Sequence, residues 1–466
     1  MTAPPGNHEP AGPPAPATSA PAISPARPPR LTALKRLGVG LLGGVVVAAL
    51  VATGLASGVR GIPWPLTAGR LAALAALALL MMQFVLSGRI RWLDRLFGLD
   101  WLYRLHARLG VLAVVLASLH PLLIYWVRPG PGPEDWPAAW PELLGAGMLS
   151  LLWLVLCVSL YRAFLRLPYG LWRRLHWLVF LVTAAALVHA FSLGRDFGHL
   201  WQVRLVWLLA ALAYGAGFLW AKLGRRALLQ RSSFQVRSVR RVNHNTLNIE
   251  LMPIDGRPFS FLPGQFIFVR FGSGSVPPEE HPFTISSSPT RPDALSLTVR
   301  QCGDFTNRMR QLVPLQRARV HGPFGRFCHL LLARPAEPLV MIAGGVGITP
   351  LLSMLRYMAD VGDERRVKLI WANRTEADIF FREELEALRR RLPGLSVHHV
   401  LSRQEDFDGL RGHIDVELLK RLLLAEGRRG RALVCGPPGM MKAARRALRK
   451  VGFPRWRIHT ERFALM

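Results

Sequence analysis

Apolar positions are unevenly distributed along the 466 residues. Before residue 223 they fall in long runs; beyond it they form short alternating or clustered stretches between Pro and Gly. Six of the runs, at about 37–57, 66–87, 105–127, 143–163, 171–193 and 200–222, are long enough to cross a bilayer as helices. From about residue 232, the segments FQVRSVRRV, TLNIEL, QFIFVRF and LSLTVRQ read as strands of a small antiparallel barrel. From residue 338 the order becomes strand, Gly-rich turn, helix (PLVMIA, GGVGITP, LLSMLRYM). The strands VKLIWA, SVHHVLS and ALVCG follow, separated by helical stretches, which is the pattern of a parallel α/β sheet. The expected organisation is a disordered Pro/Ala-rich tail over 1–30, a six-helix membrane domain over 31–226, an antiparallel β-barrel over 232–334 and an α/β nucleotide-binding domain over 337–466.

Charge changes this picture by giving it an orientation. The net charge is +30, and six of the 59 basic residues are Lys. Such basicity is compatible with a nucleic-acid partner, but many of the Arg flank apolar runs and read as topology signals instead. Arg27, Arg30, Lys35 and Arg36 precede the first run. Arg89, Arg91, Arg95, Arg104 and Arg108 follow the second, Arg162, Arg166, Arg173 and Arg174 follow the fourth, and Lys222, Arg225 and Arg226 follow the sixth. The opposite side holds only Arg60, Arg70, Arg128 and Arg195, with Arg204 just inside the sixth run. That asymmetry predicts a multi-pass protein with both termini in the cytoplasm, and the Arg surplus points to a bacterial inner membrane. Trp136, Trp140 and Trp201 fall at the outer interface. The four cysteines form no CxxC pair, so neither a disulfide framework nor a zinc site is indicated.

Four histidines in the apolar runs carry the most chemical information. His106 and His120 lie fourteen residues apart in the third run, and His176 and His189 thirteen apart in the fifth. Two helices with two histidines each can clamp two haems, one imidazole from each helix per iron. The alternative is interhelical hydrogen bonding, the ordinary role of a lone membrane histidine. A rise of about 1.5 Å per residue separates the two levels by roughly 20 Å, one near each leaflet. His106 then pairs with His176 and His120 with His189. Fourteen residues return to nearly the same helix face, but thirteen leave a mismatch of about 140° at 3.6 residues per turn. The fifth helix is therefore expected to contain a π-bulge or other distortion.

In the barrel, HPFTISSSP (281–289) supplies backbone and hydroxyl groups suited to a flavin, and RQCGDFT (300–306) offers Arg300 and a turn ending in Thr306 that suit a pyrophosphate. HGPFG (321–325) reads as a further tight turn.

These residues together resemble the ferric reductase / NADPH oxidase superfamily, in which a six-helix bis-haem domain precedes a ferredoxin-reductase-like dehydrogenase. The family's His-Pro-Phe-Thr motif is matched by His281, Pro282, Phe283 and Thr284, followed by Ser286 and Ser287. Its Gly-Asp-Trp-Thr motif is matched by Gly303, Asp304, Phe305 and Thr306, with Phe in place of Trp. The resemblance implies that the first motif holds FAD and that Arg300 and Thr306 contact its diphosphate. It also implies two b-type haems on His106, His120, His176 and His189.

GGVGITP (344–350) follows an apolar strand and opens a helix. There Gly344, Gly345 and Gly347, with Thr349 and Pro350, suit close approach of a phosphate to a helix N-terminus. CGPPGM (435–440) is a second such turn. The resemblance implies that both turns line the nicotinamide site, with Cys435, Gly436 and Pro437 near the nicotinamide. Arg374 stands either where a 2′-phosphate would lie or simply at the surface, so NADPH and NADH both remain open. The resemblance further implies that Glu461 and Phe463 pack against the flavin; an ordinary buried Phe is the alternative.

The expected function is transmembrane electron transfer from cytoplasmic NAD(P)H through FAD and two haems. Reduction of ferric chelates or of oxygen to superoxide fits this reading, with Arg70, Arg204 and His199 near the acceptor. Delivery of electrons to a periplasmic partner protein is the alternative.

Overall fold

The computed structural model describes residues 61–127, 139–193, 201–219, 233–423 apart from 273 and 275, 430–462, and positions 47, 50 and 51. The expected tail, most of the first predicted span, Trp136, His199, Phe463 and the side chains of Trp201 and Arg204 lie outside the described residues.

Among the described residues four helices are long and apolar enough to cross a membrane: Trp64–Ser87, Leu99–Val127, Glu142–Leu160 and Gly170–Ser192. In the bundle, α1 is Trp64–Ser87, α2 the short Arg91–Phe97, α3 Leu99–Val127 and α4 Trp140–Leu160. The fifth span is split into α5, Tyr169–His176, and α6, Leu178–Leu193. The sixth corresponds to α7, Trp201–Leu219. Leu122, Leu154, Leu181 and Leu212 stand exposed on the bundle, as side chains facing hydrocarbon need no partner of their own.

The antiparallel half consists of β1 (Ser233–Asn243), β2 (Thr246–Pro253), β3 (Phe266–Phe271), β4 (His281–Thr284), β5 (Leu295–Arg300) and β6 (Arg317–Phe324). Their order is β4-β3-β6-β1-β2-β5. A bridge between Ile285 and Leu297 brings the two edge strands together and partly closes the barrel. Its interior is apolar, with Val236, Ile249, Leu251, Ile267, Val269 and Leu297 fully buried.

The second sheet is parallel, ordered β10-β9-β8-β7-β11-β12. Its strands are β7 (Leu339–Gly344), β8 (Val367–Asn373), β9 (Leu395–Leu401), β10 (Leu410–Arg411), β11 (Arg431–Cys435) and β12 (Ile458–Glu461). Helices α9 (Thr349–Val361), α10 (Arg382–Arg391), α11 (Val416–Leu423) and α12 (Pro438–Lys450) accompany it, while α8 (Asp304–Arg308) belongs to the barrel. The chain builds outward from β7 through β8, β9 and β10, then returns to the other side of β7 as β11. Strand order therefore reverses between β7 and β11, the topological switch point where such sheets bind ligands.

The bundle and the barrel meet through α2. Leu86, Leu93, Leu99 and Leu102 form one buried cluster with Phe266, Phe268 and Phe324. Within it Asp94 is 1% exposed. Its Oδ1 accepts the Leu99 N–H at 2.8 Å and its Oδ2 the Gly325 N–H at 2.9 Å. Burial pushes this carboxyl up, against the pull of those two N–H groups. Arg326 donates to the Leu96 carbonyl and Arg91 to the Gly322 carbonyl. Arg89 reaches Glu280 at 2.8 Å and Tyr103 at 3.1 Å while lying over the Phe268 ring. HGPFG is thus more than a turn: His321–Phe324 complete β6, and the segment receives α2.

Asp94→Ala leaves two buried N–H groups without acceptors and is expected to destabilise the folded protein by on the order of 3 kcal/mol. Asp94→Asn, which keeps one acceptor, should cost less. Thermal unfolding of the detergent-solubilised protein checks both; equal stability of Asp94→Ala and wild type would show that the seam does not depend on this carboxyl.

Candidate functional site

The four membrane histidines come together as expected by pairs. The His106 and His176 ring centroids are 5.9 Å apart, and those of His120 and His189 are 6.4 Å apart. The first pair lies toward the end of the bundle that docks on the barrel, the second toward the opposite end. His120 Nδ1 is 3.0 Å from the Gly69 carbonyl of α1, and His176 Nδ1 is 3.3 Å from Ser159 Oγ of α4. In both rings Nε2 is therefore the nitrogen left for another partner. A Cβ on Gly145 would lie 3.2 Å from His189 Cε1, so α4 meets this ring where it has no side chain.

The expected distortion of the fifth helix is present, in a different form from a π-bulge. Helix α5 ends at His176. Trp177 N–H is shared between the Arg173 and Arg174 carbonyls, both at 3.2 Å, and Phe180 N–H bonds the Trp177 carbonyl at 3.0 Å. The turn is tightened rather than widened. Three-residue turns add rotation per residue, which reduces the angular mismatch between His176 and His189; a wide turn would subtract it.

In the barrel, the His281 ring lies 3.8 Å from the Phe305 ring, centroid to centroid, and Phe283 stacks near Phe305 at 6.3 Å. His281 Nε2 is 3.1 Å from Glu279. Pro282 shares β4 with them. Hydroxyls of this segment also make bonds within the protein. Ser286 Oγ donates to the Ser296 carbonyl at 3.0 Å and sits 3.0 Å from Thr298 Oγ1. Ser287 Oγ accepts the Ser296 N–H, and Thr284 is buried. Thr306 Oγ1 accepts the Cys302 N–H at 2.9 Å and donates to the Gly303 carbonyl at 3.1 Å, so it shapes the Gly303 turn. The identity of a hydroxyl residue is legible from sequence; the direction of its O–H is not.

At the switch point a cleft of about 400 Å³ is lined by Arg300, Gly344, Gly345, Asn373, Arg374 and Pro437, among others. The glycines have separate roles. A Cβ on Gly347 would lie 2.4 Å from the Cys435 carbonyl oxygen, and one on Gly344 would lie 2.8 Å from Pro437 Cδ. One on Gly436 would come within 2.9 Å of Gly344 N. These three let the two turns pack on each other. Gly345, with φ +52, has room, and only Arg300 Nη1 approaches its Cβ position, at 3.7 Å. Thr349 and Pro350 are buried at the start of α9, and the Thr349 hydroxyl bonds the Val346 carbonyl.

Cys435 is fully buried, and its thiol, pushed well up by burial and by Glu461, does not line the cleft. Glu461 stands opposite Cys435 in the β11–β12 register. Burial of its carboxyl, with Asp100 and Asp94 nearby, raises it to about 8. Asn373, overlooked in the sequence, is 7% exposed, and neither its Nδ2 nor its Oδ1 has a hydrogen-bond partner within the protein. It lines the cleft beside Arg374. Its position at the last residue of a strand beside the switch point was the available signal.

Among the described residues no three His, Cys, Asp or Glu side chains gather as a metal cluster. The histidine pairs offer two ligands each, which suits an ion whose other ligands come from a macrocycle.

Three family models match the chain: a ferric reductase like transmembrane component over residues 72–187, an FAD-binding domain over 231–336 and an oxidoreductase NAD-binding domain over 341–446. The first spans His106, His120 and His176 and stops just before His189. The chain is 32% identical over 215 residues to the glycine betaine monooxygenase reductase subunit of Chromohalobacter salexigens, covering 44% of this chain and 56% of that protein. It is 31% identical over 219 residues to NADH-cytochrome b5 reductase 2 of Pyricularia oryzae, covering 45% and 66%. The first of these matches thus spans little more than half of its relative's length. A cytochrome P450 reductase of Amycolatopsis is similar over 50% of this chain and 69% of its own, with 25% identity and a TM-score of 0.44.

Two outcomes test this site. Asn373→Leu removes a buried donor and acceptor from the cleft and is expected to weaken dinucleotide binding roughly tenfold, as measured by titration of the purified protein; unchanged affinity would show that the amide faces no ligand. For Glu461, the folded carboxyl holds its proton up to about 8 while the unfolded one releases it near 4.5. The folded state therefore loses stability as pH rises through that window, with no further loss above it. Glu461→Gln should flatten the dependence of melting temperature on pH between those values.

Proposed function

We propose that this chain, which joins a ferric-reductase-like transmembrane component to FAD-binding and oxidoreductase NAD-binding domains, moves electrons from NAD(P)H across a membrane to an acceptor on the far side. FAD would accept a hydride from the nicotinamide and pass electrons on singly, and two b-type haems would relay them. The orientation we assign puts the reductase half and both termini in the bacterial cytoplasm, following the Arg asymmetry of the loops.

The observation that carries this reading is the pair of histidine pairs. Two imidazoles each reaching one iron from opposite helices through bonds of about 2 Å, with each ring centre about 1 Å behind its nitrogen, would have centroids about 6 Å apart. The observed separations are 5.9 and 6.4 Å. Hydrogen bonding at Nδ1 of His120 and His176 leaves Nε2 to face a metal, the arrangement in which an outer partner fixes the tautomer of a ligating histidine.

The chain's own residues serve the two ends of the route. Arg300 and the open face of Gly345 line the cleft in which we place the dinucleotide, with Arg374 available to a 2′-phosphate. His281, Phe283 and Phe305 offer ring faces to a flavin. The seam around Asp94 keeps the barrel against the end of the bundle that holds His106 and His176.

Held by His106 with His176 and by His120 with His189, two haems would supply one-electron transfer, and ferric chelates and oxygen both suit an acceptor reduced in that way. Arg70, next to the Gly69 whose carbonyl faces His120, is the charged residue we place nearest such an acceptor. Docking of a periplasmic partner protein is the second reading. Two relatives are themselves named as reductase subunits, that is, as parts of larger enzymes.

Purified protein reduced with NADPH or NADH should show the difference spectrum of b-type haem, and His106→Ala with His120→Ala should abolish it. A preparation that binds FAD but shows no Soret band would sink the bis-haem reading. Assays with chelated iron and with oxygen, each with and without superoxide dismutase, separate the acceptors. Slow turnover on both would favour the partner protein.

A further inference from the structure

We infer that Ser159 and Trp172 act together as positioning residues for His176 and set the redox poise of the haem it would hold. The inference rests on the bis-haem reading and adds to it a residue pair that neither the histidine spacing nor the cofactor motifs point to. Ser159 is the second-last residue of α4, and Trp172 lies in α5 one turn before His176. Ser159 Oγ is 3.3 Å from His176 Nδ1 and 3.3 Å from Trp172 Nε1. The indole N–H is a donor only, so it occupies one lone pair of the hydroxyl oxygen. A ring that binds metal through Nε2 carries its proton on Nδ1 and can donate it to the other lone pair.

Trp172 does more than orient the serine. Its ring stacks on the His176 ring at 5.2 Å and 26°, limiting rotation of the imidazole. The Arg162 guanidinium lies 5.2 Å from the Trp172 ring centre on the same side of the bundle. The imidazole is thus held at one nitrogen and on one face by groups from two helices, right beside the tightened turn at Trp177. An acceptor on Nδ1–H makes the opposite nitrogen a stronger donor to iron and favours the ferric form. Removing that acceptor raises the potential of the haem concerned.

The test uses the full-length protein in detergent, with haem content measured by pyridine haemochrome and midpoints by dye-mediated titration. His176→Ala serves as the marker: the haem it loses is the one in question. Ser159→Ala is expected to keep both haems and to shift the ferric/ferrous ratio of that haem about tenfold toward ferrous at fixed potential, about 59 mV for one electron. The other haem should not move. Ser159→Thr, which restores the hydroxyl, should return the wild-type value, and Trp172→Phe, which keeps the ring but not the N–H, should fall between. If Ser159→Ala and Trp172→Phe leave both midpoints unchanged in a protein that holds two haems, the inference is wrong and the bis-haem reading stands. If the wild type holds no haem, or His176→Ala retains both, the bis-haem reading itself fails and the inference with it.

Discussion

The architecture depends on a single buried carboxylate that belongs to both halves of the molecule. Asp94 accepts one N–H from the start of α3 and one from the Gly325 turn of the barrel. Neither donor sits where water could replace the lost bond, because the Phe266, Phe268 and Phe324 cluster encloses the site. The electron route proposed above would run through two differently folded halves and would require that their separation not fluctuate. Apolar burial alone is non-directional and would allow sliding. A carboxylate with one oxygen committed to each half supplies the missing direction, and the Arg326–Leu96 and Arg89–Glu280 contacts repeat the device on either side.

The switch point of the parallel sheet shows a comparable division between packing and function. Glycines clustered at strand ends look alike in sequence, but their surroundings differ. Gly344, Gly347 and Gly436 are spent on letting the two turns touch, since any Cβ there meets backbone or a packed side chain. Gly345, approached only by Arg300 Nη1 at 3.7 Å, and Gly439, with nothing within 4 Å, keep open space. The close packing of the two turns through Gly344, Gly347 and Gly436 shapes the cleft, and Arg300, Asn373 and Arg374 are part of its polar lining.

Hydropathy was enough to locate the spans at 66–87, 105–127, 143–163 and 171–193, because length and apolarity are what a bilayer selects. The pairing of His106 with His176 and His120 with His189 was equally legible from spacing and direction. The seam was not. Helix α2, RWLDRLF, has too few residues to display a helical period, and its arginines read as topology markers although Arg91 and its neighbours also bind the barrel. Strand β12, IHTE, has no alternation to announce it, and its pairing with β11 is fixed by tertiary context. Helix α3 begins at Leu99, ahead of the apolar run, because Asp100 and Arg104 form a first turn that is charged rather than lipid-facing. The internal partners of the hydroxyls were not legible either: Ser286 Oγ donates to the Ser296 carbonyl, Ser287 Oγ accepts the Ser296 N–H, and Thr306 of α8 donates to the Gly303 carbonyl.

The bundle also shows why a small residue and a polar contact occur together at Gly69. Its backbone carbonyl is 3.0 Å from His120 Nδ1. A helical carbonyl already bonded within its own helix retains a second lone pair, but a side chain on the same residue usually keeps a neighbouring helix away from it. A Cβ at this position would lie 3.2 Å from the His120 carbonyl oxygen and 3.2 Å from Leu123 Cβ, tighter than ordinary packing allows. Its absence therefore lets α1 and α3 approach closely, and that approach brings the lone pair within reach of the imidazole. The close crossing and the orientation of His120 follow from the same missing methyl group. A larger residue there would loosen the helix pair and free the ring at once, so the two effects could not be separated by substitution at that position alone.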